Sequence, residues 1–203
     1  MHKPRSELFA NFIRDSYGSW ISQSKKSIRM LTKVDIEKYF VAEKSESLIF
    51  LIIGILAIVL SIIFFFSLKT NFYKGAAIPL LVVGIIQVIV GYTVYSRSDE
   101  QRISNVYAYD MNPGKLKTEE LPRMQAVNKR FNLYRWIEII LLVTGLVLIL
   151  IHKNEITKNF WAGFGFTLAL QAAVMLGADY FAENRAETYT QQLESFASGK
   201  KPT

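Results

Sequence analysis

Four long apolar runs, separated by polar segments, dominate the pattern of this chain. Residues 47–68 and 75–96 each hold 22 residues without a formal charge, and residues 159–178 hold 20 more. At about 1.5 Å of rise per residue, each run is long enough to cross the roughly 30 Å hydrocarbon layer of a membrane as a helix. A further run of 17 residues, 136–152, contains Glu138. It predicts a span only if Glu138 lies near an interface or faces protein.

Apolar periodicity continues beyond the last two runs into polar sequence. The heptad positions are Met124, Phe131, Glu138 and Gly145 in the third predicted helix, and Gly165, Ala172, Asp179, Ala186 and Leu193 in the fourth. A stripe that keeps its phase indicates one continuous helix, of about 35 residues in the fourth case, packed on a partner along its length. Between the second and third helices, Asn112-Pro113-Gly114 predicts a turn.

These patterns predict an all-α fold: a polytopic membrane protein built as a four-transmembrane-helix bundle, with helices that extend beyond the bilayer. The predicted organisation is a polar N-terminal segment at 1–47, spans at 48–68, 75–96, 136–152 and 159–181, a helical hairpin at 97–135, a C-terminal helical extension at 182–198 and a tail at 199–203. We treat residues 48–198 as one domain.

The N-terminal segment contains an embedded amphipathic pattern. Apolar and aromatic residues recur at helical spacing between residues 8 and 21, and basic residues follow. This pattern is typical of a helix lying in the interface of an anionic membrane leaflet, although a helix packed on the protein's own extensions would share it. The residues that would anchor it in the interface are Phe9, Phe12, Trp20, Lys25 and Lys26.

The basic residues are distributed unevenly around the four runs. Of the 24 Lys and Arg residues, nine precede the first span, eight lie between residues 97 and 135, three follow the fourth span, and four lie in the two short turns. This asymmetry predicts that both termini and the middle loop are cytoplasmic. The net charge of +7 therefore faces the inner side of a membrane, and we expect no nucleic-acid partner. A bacterial inner membrane is the simplest location.

Few residues in this chain are suited to catalysis or metal binding. There is no cysteine, and the two histidines, His2 and His152, lie far apart in the sequence. No pair of His, Asp or Glu has the spacing of a metal site, and no glycine-rich phosphate loop or nucleophile elbow occurs. We therefore expect a non-enzymatic protein without a cofactor.

Two acidic residues fall on the inward stripes of their helices. Glu138 and Asp179 both lie near the cytoplasmic ends of their spans, where a carboxylate is costly unless it is paired or hydrated. One interpretation is a site for a cation or a proton. The other interpretation is pairing with basic residues near the same interface, and it is favoured because basic residues outnumber acidic ones there. The candidate partners are Arg97, Arg102, Arg135 and Arg185.

Two amides lie in the middle of predicted spans. An unpaired amide in hydrocarbon costs several kcal/mol, so Gln87 and Gln171 each require a partner. They would either meet each other and join two helices, which is the usual role of such groups, or line a hydrated path. Pro79, near the outer end of the second span, would free a backbone carbonyl group.

Small residues cluster in the second and fourth spans, where they predict close contacts between helices. The helix-packing positions are Gly84, Gly91, Gly165, Ala172 and Gly177. A faint internal repeat relates Asn71-Phe72-Tyr73-Lys74-Gly75 to Asn159-Phe160-Trp161-Ala162-Gly163, and Gly54 to Gly145. It suggests two hairpins of one design, although shared preferences of outer turns would produce the same resemblance.

The sequence favours a protein that binds another membrane protein, as an accessory subunit or an immunity protein against a membrane-inserting toxin would. The first alternative is a homo-oligomeric ion channel or pore. It would be lined by Gln87, Gln171, Glu138 and Asp179. The second is a structural organiser docked on the membrane through residues 8–29. The expected partners are the lipid bilayer and either a membrane protein or further copies of this chain.

Overall fold

Four long helices account for most of the chain. The computed structural model describes residues 30–68, 70–153 and 159–199. The helices are α1 (Lys33–Phe66), α2 (Asn71–Met111), α3 (Leu121–Ile151) and α4 (Phe160–Ser198). A short helical turn, Pro113–Lys115, and a π-helical turn, Leu116–Glu120, lead directly into α3. No β-strand occurs in the described residues, which confirms the all-α prediction.

Helix α1 begins well before the first apolar run. Thr32 caps it: the Asp35 backbone N–H donates to Thr32 Oγ1 over 3.3 Å, and the Thr32 N–H donates to Asp35 Oδ2 over 3.0 Å. This capping box satisfies two of the free N–H groups of the first turn. The helix then continues for 34 residues without interruption. The predicted boundary near residue 47 therefore lies inside α1, because no glycine or proline occurs between Lys33 and Ser47.

The ends of α2 and α4 agree with the sequence pattern. Helix α2 stops at Asn112, whose φ of −150° and ψ of 69° leave the helical region, as the predicted turn requires. Helix α4 is a single helix of 39 residues, which confirms the continuous helix indicated by its heptad stripe. It ends at Gly199, where φ is 63°. This left-handed conformation is accessible to glycine at little cost.

The four helices form a row within the apolar part of the molecule. Helix α1 packs against α2, α2 packs against α4, and α4 packs against α3. The two central helices, α2 and α4, are consequently the most enclosed. In α4, 44% of the most apolar stretch is buried, whereas in α3, at one end of the row, 11% is buried. By length and composition, all four helices are able to cross a membrane.

Two regions of the molecule differ in polarity. The apolar half consists of residues 48–66 of α1, 71–96 of α2, 136–151 of α3 and 160–181 of α4. The head consists of residues 30–47, 97–135 and 182–198. The head holds the main hydrophobic core, to which all four helices contribute. Its fully buried members are Leu31, Ile36, Tyr39, Phe40, Ala108, Leu116, Met124, Ala186, Tyr189 and Leu193. The four helices therefore share a common hydrophobic core in the head, whereas in the apolar half each helix packs only on its neighbours in the row.

Candidate functional site

Gln87 of α2 and Gln171 of α4 meet in the middle of the apolar half. The side-chain Nε2 of Gln87 donates to Oε1 of Gln171 over 3.4 Å, and both residues are buried. Oε1 of Gln87 has no hydrogen-bond partner among the described residues. The structure thus brings the two predicted amides together, in the arrangement expected for joining two helices.

Hydroxyl groups surround the backbone near Pro79. Thr167 Oγ1 of α4 donates to the carbonyl oxygen of Ala76 over 3.0 Å, and Ser61 Oγ of α1 donates to that of Ala77 over 2.7 Å. Proline lacks a backbone N–H and weakens the helical hydrogen bonds of the preceding turn. The carbonyl group that loses its helical donor to Pro79 is that of Gly75, four residues earlier, and these two hydroxyls donate to the carbonyl groups next to it in the same turn of α2.

The N-terminal ends of α2 and α4 are in direct backbone contact. A Cβ atom added at Gly75 would collide with the carbonyl oxygen of Phe160, and one added at Gly163 would collide with that of Phe72. The two glycines are thus reciprocal, each lying against the first turn of the other helix. The equivalence of residues 71–75 and 159–163 suggested by the internal repeat is reflected in these reciprocal contacts.

The remaining buried glycines lie within the two hairpins. Gly84 and Gly91 of α2 lie against α1, and Gly165 of α4 lies against α3: a Cβ at Gly84 would come within 3.0 Å of the Gly54 carbonyl oxygen, and one at Gly165 within 2.7 Å of the Gly145 carbonyl oxygen. Ala172 is also buried, at 2% exposure. These four predicted packing residues all lie in helix contacts.

Two inferences about glycine are wrong. Gly177 is exposed, and an added Cβ would meet no atom of another helix within 4 Å, so this residue does not pack against any other helix in the described part of the chain. Gly54 lies about three helical turns before the end of α1 at Phe66, whereas Gly145 lies less than two turns before the end of α3 at Ile151. These two glycines are not at equivalent depths, so the proposed repeat does not extend to them.

The carboxyl groups of Glu138 and Asp179 face each other across the contact between α3 and α4. Glu138 is only 1% exposed, and as long as both acids are ionised no described side chain donates a hydrogen bond to either of its carboxyl oxygens. Asp179 is half-buried. The pair lies where the apolar half meets the head, and it is the most unusual polar arrangement in the molecule.

The favoured pairing of these carboxyl groups with arginine does not occur in the described part of the chain. Each of the four candidate arginines has other acidic neighbours. Arg135 pairs with Glu183, Arg185 pairs with Glu46, Arg102 approaches Asp99 at 3.6 Å, and Arg97 lines a surface groove together with Glu100 and Glu119. The sequence predicts which end of each helix these arginines lie near, but not which neighbouring acidic side chain each of them faces.

An aromatic cluster that the sequence analysis did not single out holds the head together. The rings of Tyr39 and Tyr189 are stacked with centroids 4.3 Å apart, and Phe40 meets both edge-on. The guanidinium group of Arg123 lies 5.6 Å from the centroid of Phe40, and that of Arg185 lies 5.7 Å from the centroid of Tyr39. Such cation–π contacts stabilise partly desolvated arginines.

Two buried carboxylates flank this cluster. Glu120 accepts two hydrogen bonds of 2.7 Å from Arg123, and Glu43 accepts one of 3.4 Å from the Tyr39 hydroxyl and one of 3.2 Å from Ser98. Burial, together with the negative charge of Glu43, raises the pKa of Tyr39 well above its usual range. Both carboxylates have partners, which distinguishes them from Glu138.

Helix α2 carries an exposed apolar stripe in the head. Ile103, Tyr107 and Met111, spaced four residues apart, are 63%, 65% and 67% exposed. We call these three residues the α2 stripe. Ion pairs join α2 to α1 at either end of it, from Asp99 to Lys44 and from Asp110 to Lys33. These ion pairs and the packing of α2 on α1 hold the helix that carries the stripe against α1.

The predicted interfacial anchors, Phe9, Phe12, Trp20, Lys25 and Lys26, lie outside the described residues. Within the described part of the chain, no group of three or more His, Cys, Asp or Glu side chains could hold a metal ion. Comparison of the chain with protein-family models, curated proteins and solved structures finds no match.

Proposed function

We propose that this chain is a non-enzymatic integral membrane protein that acts by binding another membrane protein. The proposed orientation places the head and both termini in the cytoplasm, with the two outer turns on the opposite side. It is supported by the 20 basic residues on the head side against four in the outer turns. A bacterial inner membrane remains the proposed location.

The α2 stripe is the observation that carries this proposal. Exposed apolar side chains in the apolar half need no explanation, because lipid covers them there. In the head, large exposed apolar groups in a row at helical spacing are typical of a binding surface. Ile103 lies only seven residues beyond residue 96, the predicted end of the second span, or about 10 Å along the helix.

The position of the stripe indicates the kind of partner. Its lower end is within about 10 Å of the proposed membrane surface, so an occupant anchored in the same membrane reaches it easily. The acidic residues at both ends of the stripe are already paired with lysines of α1. The chemistry that fits is therefore an apolar helix face, presented by the membrane-proximal segment of another membrane protein.

Site-specific photo-crosslinking tests this proposal in the full chain in its native membrane. A photo-reactive residue at Tyr107 should give one discrete adduct with a different membrane protein, whereas the same residue at the exposed position Gln191 of α4 should not. The partner should copurify in a fixed ratio, and the double substitution Ile103→Ser and Met111→Ser should abolish copurification without lowering the melting temperature.

Other adducts would contradict partner binding at this stripe. An adduct with twice the mass of the chain would identify a second copy, and a crosslink to residues 1–29 would identify the chain's own N-terminal segment. Ion conductance of the purified protein in liposomes, changed in selectivity by Gln171→Leu, would favour the channel instead. The buried Gln87–Gln171 contact gives no support to a lining role for these amides.

A further inference from the structure

The carboxyl pair of Glu138 and Asp179 is not explained by partner binding. Glu138 is buried with two unpartnered oxygens, next to a second acid, at a contact between two helices. Two ionised carboxylates in such a place would repel each other at low local dielectric. Something other than the described side chains must offset this charge.

Among the described residues, the charged groups around the pair do not supply the missing charge. Helix α4 is the element packed against α3 here, and it presents Asp179 and, one turn further, Glu183. Arg135, on the same helix as Glu138, is bound by Glu183, and Arg185 of α4 is bound by Glu46 of α1. The local balance is therefore negative whenever both carboxyl groups are ionised.

A proton fits this site better than a metal ion does. Calcium takes about six to eight oxygen ligands, magnesium keeps several waters in its coordination shell, which an enclosed Glu138 would have to admit, and zinc prefers nitrogen and sulfur. Two carboxyl groups offer four oxygens at most, and no third acidic or histidine side chain completes a metal-binding group in the described residues. A pair of adjacent acids, in contrast, is neutralised to a single charge by one proton held between them.

We propose that Glu138 and Asp179 share one exchangeable proton, so that a carboxylic acid on one residue donates a hydrogen bond to the carboxylate of the other. The proton enters and leaves on the head side, where Asp179 is partly exposed while Glu138 is enclosed. Its release leaves two carboxylates and transfers one proton to water. The site is thus a proton-binding site at the inner end of the apolar half.

The charge state of this site controls how α3 packs on α4. In the apolar half, only Glu138 and Gly145 of α3 are buried. One of the two main contacts of α3 is therefore the carboxyl pair itself. Release of the proton replaces a hydrogen bond by repulsion at this contact and loosens α3, whereas proton binding closes it.

Infrared spectroscopy of the full chain in a detergent that has no ester or carboxyl group tests the shared proton directly. At neutral pH, exposed carboxyl groups are ionised, so a carbonyl stretching band of a protonated carboxyl group must come from a buried one, and its loss in variants of this pair assigns it to the pair. The wild-type protein should show the band, and it should disappear as the pH is raised. Glu138→Gln and Asp179→Asn should each remove it, and Glu187→Gln, at an exposed position of α4, should leave it unchanged.

The wild-type spectrum decides the question even if a variant fails to fold. Absence of the band at neutral pH would overturn the proposal, and so would its persistence in both variants. Calorimetric binding of calcium or sodium that Glu138→Gln abolishes would also overturn it, in favour of a cation site. These outcomes are independent of whether the α2 stripe binds a partner.

Discussion

At the scale of single residues, two glycines of α4 show that the same residue type has opposite roles at different positions. Gly163 lies against the backbone of Phe72, so that a Cβ atom there would collide with a carbonyl oxygen. Gly177 has no neighbour within 4 Å of the equivalent position. One glycine permits the closest approach of two helices, and the other only lowers the intrinsic stability of its helix.

Replacement of each glycine by alanine should therefore have different effects. Gly163→Ala should destabilise the protein by about 1–3 kcal/mol, because backbone atoms cannot move aside easily. Gly177→Ala, the matched control on the same helix, should be neutral or stabilising by up to about 1 kcal/mol. Thermal unfolding of the detergent-solubilised variants measures both. Equal effects would show that α2 and α4 do not approach each other as closely as described.

At the scale of helices, the contact between α2 and α4 depends on polar groups as much as on small residues. The amides of Gln87 and Gln171 meet in its middle, and Thr167 donates to the backbone of α2 near Pro79. In hydrocarbon no water is present to form hydrogen bonds with these groups. Each polar group therefore holds its helix in one rotational position.

The two amides should be energetically coupled. Gln87→Leu or Gln171→Leu alone should cost about 1 kcal/mol, because each strands a buried amide. The double variant should cost less than the sum, since no amide then remains unpaired. Thr93→Val is a suitable control, because the hydroxyl of Thr93 is exposed and bonds only within its own helix. Strict additivity in a double-mutant cycle, measured by unfolding, would contradict the contact.

The rotational positions of helices were largely predictable, and the length of α1 was not. The heptad stripes of α3 and α4 identified buried residues such as Met124, Gly145, Ala172 and Leu193. The same signal is present in α1, where Phe40, Ser47, Gly54 and Ser61 recur every seven residues and are all buried. The change from polar to apolar sequence near residue 47 predicts a boundary, but the phase of the stripe continues across it and the helix is continuous.

At the scale of the whole molecule, the order of the helices could not be read from the sequence. Periodicity states which face of a helix is buried but not which helix covers it. The carboxyl pair illustrates this limit: both acids were placed on inward stripes, yet their neighbours depended on the α3–α4 contact, which brought Glu138 to Asp179 rather than to an arginine. The open row of four helices is a property of tertiary packing alone.

This row can be tested by disulfide formation, for which the absence of native cysteine is an advantage. Ala76→Cys with Thr167→Cys, which joins α2 to α4, should form an intramolecular disulfide under a membrane-permeable oxidant, because Thr167 already bonds to the backbone of Ala76. Leu56→Cys with Val143→Cys should not, because α1 and α3 lie at opposite ends of the row and both side chains are exposed. Non-reducing electrophoresis separates these products from crosslinked dimers. Rapid closure of the α1–α3 pair within one chain would mean that the apolar half is a closed bundle, and Glu138 would then face two helices instead of one.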